Sequence, residues 1–302
     1  MKKTLQYLFI LACFAQTTQA QSDTSLPSDT SLWKKGGLTS LGVSQSSFTN
    51  WAAGGISNTN VTSLISLYAN RMVAESSWEN NLDLGFGIQK IAGADFRKSE
   101  DRIELNSKYG RKINDKLNYS ALLNFRSQFA QGFNYTDTSV VYVSNFLAPS
   151  FTTISAGLDY KPVAGLSIYF SPITGKITTV MDDQLSNQGA YGVDTGKKVR
   201  LEFGALASVK YQKIFKNNIQ LKSKLDLFGN FENMQAIDVN WENIFAFQIT
   251  KLLTVSLTST LLYDQDILIA KQVEQSPGVM VVENKPRTQF KQVFALGFTY
   301  KF

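Results

Sequence analysis

The sequence predicts an all-β fold: a transmembrane antiparallel up-and-down β-barrel of about 12 strands, with short periplasmic turns and long external loops. Three observations predict it. The last fourteen residues alternate large apolar side chains with small or polar ones up to a terminal Phe302. About twelve stretches along the chain repeat that alternation. The connections between those stretches alternate long and short.

The chain begins Met1-Lys2-Lys3, then runs apolar from Leu5 to Ala15 and reaches Ala20 through small and polar residues. A basic start, a short apolar run and a small residue before the cut describe a signal peptide over 1–20. The run is too short for a spanning helix, which needs about 20 apolar residues. Lipid attachment at Cys13 is the competing reading, but Ile10-Leu11-Ala12-Cys13 is a poor acylation motif. Residues 21–37 are polar and locally duplicated (Ser22-Asp23-Thr24-Ser25-Leu26, then Ser28-Asp29-Thr30-Ser31-Leu32) and read as a flexible periplasmic lead. The barrel is expected over 38–302.

Composition narrows the chemistry. Cys13 is the only cysteine, so a chain cut after Ala20 has neither disulfides nor thiol chemistry. There is no histidine, which excludes nucleophilic catalysis with a His base and His-ligated zinc. The formal charge of +6 includes Lys2 and Lys3, and no basic stripe with interleaved aromatics marks a nucleic-acid surface.

Strands are expected at Leu38–Phe48, Val61–Val73, Asn81–Ile91, Arg102–Ile113, Leu117–Ala130, Ser150–Tyr160, Leu166–Pro172, Val199–Tyr211, Ile219–Phe231, Ile237–Ile249, Leu253–Asp264 and Gln289–Phe302. Most match a tilted bilayer crossing of about 9–11 residues with overhang and exceed the soluble mode of about 5–6. Between them, Thr49–Asn60, Ala92–Asp101, Gln131–Pro149, Ile173–Lys198 and Gln265–Thr288 are long and polar, whereas Ala74–Asn80, Asn114–Lys116, Lys161–Gly165, Gln212–Asn218 and Thr250–Leu252 are short. An even strand count keeps both termini on the periplasmic side. A closed barrel also satisfies every strand edge, which an open sheet in lipid does not.

The last strand carries Phe290, Phe294, Leu296, Phe298, Tyr300 and Phe302 on one parity and Lys291, Val293, Ala295, Gly297, Thr299 and Lys301 on the other. Its end, with Phe298, Tyr300 and Phe302, resembles the assembly signal of bacterial outer-membrane barrels, so the barrel-assembly machinery is an expected partner alongside membrane lipid.

Parity places fourteen charges in the lumen: Asp83, Glu104, Lys108, Arg126, Asp159, Arg200, Glu202, Lys210, Lys222, Lys224, Asp226, Asp238, Glu242 and Lys291. Two roles are open to them: an ion-pair network that fills a narrow barrel, or a charged constriction that selects solute. Eight strands are filled by their side chains and 16–18 leave an aqueous channel, so about 12 falls between.

Several phrases occur together in order: Gln45-Ser46-Ser47-Phe48-Thr49-Asn50-Trp51-Ala52-Ala53-Gly54-Gly55, then 98–110, Asn145-Phe146-Leu147-Ala148-Pro149, Ser171-Pro172-Ile173-Thr174-Gly175-Lys176, Val239-Asn240-Trp241-Glu242 and the final Tyr300-Lys301-Phe302. In combination they resemble a family of outer-membrane barrels from Bacteroidota, domain of unknown function 3078. The resemblance implies fold and location and assigns no functional residue.

Other motifs carry less. Trp51 before Gly54-Gly55 reads as an interface anchor or a ligand-contact loop. Ser171-Pro172-Ile173-Thr174-Gly175-Lys176 lacks the Gly-rich run of a phosphate loop, and its proline reads as a strand end. Asp182-Asp183 and Asp264-Gln265-Asp266 match no complete calcium loop and read as solvated loop charge. Glu104 and Glu202 are the weak candidates for two-carboxylate hydrolysis, with no motif to orient them. The expectation is a non-enzymatic barrel of the cell outer membrane, without cofactor or nucleic-acid partner. It serves as a passive pore or transporter for small polar solutes. The alternative is a plugged barrel with a structural or docking role toward other envelope proteins.

Overall fold

The computed structural model describes residues 32–47, 57–135, 139–215, 218–234, 236–276 and 279–302. The signal peptide expected over 1–20 and most of the lead expected over 21–37 lie outside these residues, as does the Trp51 loop. In the described chain twelve strands close one antiparallel barrel. They are β1 (Trp33–Ser46), β2 (Asn58–Val73), β3 (Ser76–Ile91), β4 (Phe96–Lys112), β5 (Leu117–Ser127), β8 (Ser150–Tyr160), β9 (Leu166–Thr179), β10 (Val199–Phe215), β11 (Ile219–Asn230), β12 (Ile237–Gln248), β13 (Leu253–Tyr263) and β16 (Gln289–Lys301). Two hairpins stand outside the wall: β6 (Gly132–Tyr135) with β7 (Val140–Ser144), and β14 (Leu268–Ser276) with β15 (Val279–Pro286). Among the described residues helical structure is confined to α1 (Asp183–Asn187) and a 3-10 turn at Ala190–Gly192.

Each barrel strand pairs with the barrel strands before and after it along the chain, so the topology is up-and-down. The ring closes where β16 meets β1, with Gly37 N–H donating to the Phe302 carbonyl at 2.8 Å and Phe302 N–H returning the bond at 3.0 Å. Strand pairing at this seam runs from Leu38–Lys301 only to Gly42–Gly297, whereas β1 pairs with β2 along its whole length, from Trp33–Arg71 to Ser46–Asn58.

The end that holds Trp33 and Lys301 (the terminal end) has tight connections, such as those at 74–75, 113–116, 161–165 and 249–252. Gly165 shows why one of them is tight: its φ is +82°, and a Cβ there would run into the Gln212 carbonyl. The opposite (loop) end carries both hairpins and the segment 180–198.

Strand limits differ most from the sequence reading in four places. The lead expected over 21–37 yields Trp33–Gly37 to β1. β3 starts at Ser76 rather than Asn81. β4 starts at Phe96 rather than Arg102, because Phe96–Asp101 continues the ladder against Lys90–Phe86; the long loop expected at Ala92–Asp101 shrinks to four residues. β9 continues through Pro172 to Thr179. It does so by a bulge. Ser171 pairs with Leu206 and Thr174 with Gly204, so Pro172 and Ile173 together face Ala205. A proline without an N–H is tolerated where the ladder is already interrupted. The bulge also needs Gly157 on the neighbouring strand, where a Cβ would collide with the Phe170 carbonyl.

The surface is inverted relative to a water-soluble fold. Phe294 is 69 % exposed and Phe298 66 %, with Leu201, Phe203, Phe170 and Trp241 also exposed on the outer face, while Asp159, inside, is 0 % exposed. Contiguous apolar surface on this scale is unstable in water and is what lipid requires. At the terminal end Trp33 packs on Trp78 (5.6 Å between ring centroids) and Trp78 on Tyr109 (6.5 Å), part of an outward aromatic girdle that includes Tyr119, Tyr160 and Tyr300. Phe298 and Tyr300 on β16, and Phe302 just past its end, are exposed on the outer face, with Tyr300 stacked on Phe302 at 6.1 Å.

Candidate functional site: a charged and half-open lumen

The pairing registers fix which residues share the inner face. Along one run of partners Ser66 faces Asp83, Asp83 faces Glu104, and Glu104 faces Arg126. Along another, Lys210 faces Lys224 and Lys224 faces Glu242. Asp83, Glu104, Lys108, Lys210, Lys222, Lys224, Glu242 and Lys291 line a single large cavity, and Arg200, Glu202 and Asp238 line a small one of about 90 Å³ at the loop end. Asp159 and Asp226 are ion-paired within the lumen, and Arg126 lies over the Phe151 ring, 5.7 Å from its centroid.

β4 and β12 are six strands apart in either direction round the ring, yet their side chains meet. Arg102 Nη1 lies 2.5 Å from Glu242 Oε1, and its Nη2 donates to Glu242 Oε2 at 3.2 Å and to Glu104 Oε2 at 2.6 Å. The planar guanidinium suits this fork. Next to it Lys224 reaches across to Glu104 (3.8 Å) and back to Asp226 (3.1 Å), and Lys291 holds Glu100 at 2.6 Å. The row Glu100–Arg102–Glu104 on β4 thus anchors bridges across the lumen to β11, β12 and β16.

On one side of these bridges the barrel is packed. Lys176 gathers three carboxylates: Asp238 at 2.5 Å, Asp264 at 3.1 Å and Glu202 at 3.7 Å. Arg200 binds Asp266 at 2.8 Å and Glu202 at 3.3 Å. Lower down, Lys108 meets the buried Asp159 at 2.6 Å, Ser167 donates to Asp159 at 2.5 Å, and Lys161 joins Glu79 at 3.1 Å. Tyr169, Leu206 and Phe228 form an apolar plug between the two groups.

Over the loop end of this side sits a small hydrophobic cap of Ala148, Val180, Leu185 and Val193, against which Tyr142 and Tyr191 pack. Asp182 locks it. Its side chain accepts from Tyr142 Oη at 2.7 Å, from Asn145 Nδ2 at 3.2 Å, and from Leu185 N–H at 3.0 Å as the N-cap of α1. The Tyr142 hydrogen bond holds the Asp182 carboxyl below its usual range, and burial together with Asp182 pushes Tyr142 up to about 12.

Among the described residues the other side is open. Ser40, Gly42 and Ser44 on β1, Thr62 and Ser66 on β2, Thr254, Ser256, Thr258 and Thr260 on β13, and Val293, Ala295 and Gly297 on β16 present small side chains to a cavity of about 1640 Å³. Its lining runs from Ser44, Asn60 and Glu100 near the loop end to Gly37, Lys161 and Lys301 at the terminal end.

The sequence reading missed Arg102, Lys176 and Asp264 as lumen residues. Arg102 shares the parity of Glu104 and was legible. Lys176 was hidden because the bulge at Pro172–Ile173 switches the inward set from Ser167, Tyr169 and Ser171 to Thr174, Lys176 and Thr178. Of the acidic loop pairs, Asp183 is solvated charge, exposed and paired with Lys198 at 2.7 Å, and the other three carboxylates are engaged. Asp182 caps α1, while Asp264 and Asp266 turn in to Lys176 and Arg200. Glu104 and Glu202 are both engaged by cations and amides: Asn106 and Asn124 donate to Glu104 and Asn230 to Glu202. Among the described residues no group of His, Cys, Asp and Glu is placed to hold a metal ion.

A closed antiparallel barrel, apolar outside and ionic inside, belongs to the class that spans a bilayer with strands. Residues 43–133 match the family described as "Protein of unknown function (DUF3078)". No curated protein matches the chain. Among solved structures it is similar in fold to an outer membrane channel from Pseudomonas putida F1 (13% identity, 89% of this chain and 95% of that one, TM-score 0.40). It is also similar to the translocator domain of the autotransporter NalP from Neisseria meningitidis (9% identity, 92% and 91%, TM-score 0.40) and to OmpT, an outer membrane protein of Vibrio cholerae (8% identity, 89% and 97%, TM-score 0.32).

Proposed function

We propose that this protein sits in the cell outer membrane and acts as a passive pore for small polar solutes. The observation that carries the reading is the open side of the lumen, a cavity of about 1640 Å³ whose lining extends from the loop end to the terminal end. Its wall of Ser, Thr and Gly offers hydroxyl and backbone partners with little steric obstruction, as a water-filled path requires. The outward aromatic belt supports residence in lipid, and the exposed Phe298, Tyr300 and Phe302 on the closing strand suit reading by barrel-assembly machinery. The leader at 1–20 is the export signal of this reading. The mechanism is diffusive and non-enzymatic; the engaged state of Glu104 and Glu202 supports that. Single-channel recording of the refolded barrel in a planar bilayer tests the proposal, with stable open steps expected and a silent, correctly folded barrel contradicting it.

The cap over the packed side favours a second reading. Tyr142, Asp182 and Leu185 tie 140–144 to 180–198, and a protein ordered in this way at the loop end can serve as a docking face with the lumen closed. A silent barrel would leave this reading standing, to be followed by cross-linking from the loop end.

A further inference from the structure

Six inward cations in this barrel, Arg102, Lys108, Lys176, Arg200, Lys224 and Lys291, each form an ion pair. Arg126, Lys301, Lys210 and Lys222 form none among the described residues; Arg126 lies over the Phe151 ring and Lys301 sits at the terminal end, whereas Lys210 and Lys222 line the large cavity beside a third lysine. The register sets Lys210 directly opposite Lys224, and Lys222 opposite Gln212 on the next inward rung. Three ammonium groups therefore share one patch of the β10–β11 wall. Like charges facing each other across a strand pair are destabilising. Lys224 is relieved by Asp226 and Glu104. Nothing comparable relieves the other two. The carboxylate that Lys210 senses, Glu79, is held by Lys161, and Asp226 is already shared by Lys224 and Ser208. Where a space-filling network would set a carboxylate beside these lysines, the chain has the neutral amides of Gln212 and Gln220, which also line the cavity.

We propose that Lys210 and Lys222, flanked by Gln212 and Gln220, form an oxyanion-binding site on the inner wall, and that the solutes of this lumen carry a carboxylate or phosphate group. The consequence for transport rests on the pore reading; the binding site does not. Two mobile point charges suit a compact oxyanion, which supplies the missing counter-charge and accepts from the amides. Its affinity falls as salt rises, because the site faces a water-filled cavity.

The test uses the refolded full-length mature protein, the variant K210Q/K222Q, the charge-retaining K210R/K222R and the control K291Q, each checked for the heat-modifiable folded band. Binding is read with inorganic phosphate by calorimetry in detergent, and selectivity as the chloride-to-potassium permeability ratio in a planar bilayer. The expected result is phosphate binding that weakens about tenfold or more in K210Q/K222Q, persists in K210R/K222R and is unchanged in K291Q, with an anion preference that disappears in the same variant. A barrel that binds phosphate in this pattern but does not conduct sustains the site and removes the pore reading. A conducting barrel whose phosphate affinity and permeability ratio are the same in wild type and K210Q/K222Q overturns the site and leaves the pore. Absence of phosphate binding in the wild type overturns it as well.

Discussion

The two sides of the lumen are built from the same strand geometry and filled in opposite ways. On β5, β8, β9 and β10 the inner face carries Asn124, Asp159, Tyr169, Lys176, Leu206 and Glu202, all buried. On β1, β13 and β16 the inner positions are Ser40, Gly42, Ser256, Thr258, Ala295 and Gly297, and they line the large cavity. Twelve strands make a ring that can be either plugged or open. In this chain inner side-chain size decides which: toward the loop end it decides differently on each side of the Arg102–Glu242 bridge, and toward the terminal end the cavity also reaches Ser167, Tyr169, Ser208 and Lys210 on β9 and β10.

The largest effect is expected from giving the open side the bulk of the packed one. S40W combined with S256W places two indoles in the cavity and should reduce single-channel conductance to background, with the folded band retained on gels. The reverse change attacks the packed side. K176M leaves Asp238 and Asp264 without their cation and Glu202 with Arg200 alone, and removal of one partner from a buried ionic group costs about 3 kcal/mol or more. Urea unfolding in detergent should show that loss, and K176M/D238N should recover part of it. A smaller effect is expected at the divide. R102Q/E242Q removes the bridge while keeping polar atoms, so conductance should rise by about twofold or less. The stability coupling of the pair, measured by a double-mutant cycle, should be about 0.5–1 kcal/mol because the lumen is wet.

The smallest effect concerns the cap. The folded Asp182 carboxyl titrates below its unfolded value. Its contribution is therefore complete above the unfolded value and is lost as pH falls through the folded one. Limited proteolysis between 128 and 149 should accelerate on acidification. Y142F should bring that acceleration to a higher pH, since the hydrogen bond that lowers the Asp182 value is gone. An unchanged pH profile in Y142F would show that this lock does not hold the cap.

Most of the wall was legible because a strand in lipid has one strict rule, apolar outward, and period-two alternation records it. The rule also carried Glu104, Lys210 and Glu242 to the inner face. It failed at β9, where the bulge at Pro172–Ile173 breaks the period and conceals Lys176. It was silent on the partners of each charge. Arg102 and Glu242 are 140 residues apart, and only ring closure brings them together. The asymmetry between the two sides was likewise present as a difference between Ser, Thr and Gly on some strands and Asn, Tyr and Lys on others. It acquires meaning only once the strand order shows that the small residues are neighbours.

The most direct test of this account is single-channel conductance of the refolded wild-type barrel recorded beside S40W/S256W. Stable open steps in the wild type that vanish in the variant are expected if the side lined by β1, β13 and β16 is the path. A folded wild type that never opens, or a variant that conducts as the wild type does, would contradict it.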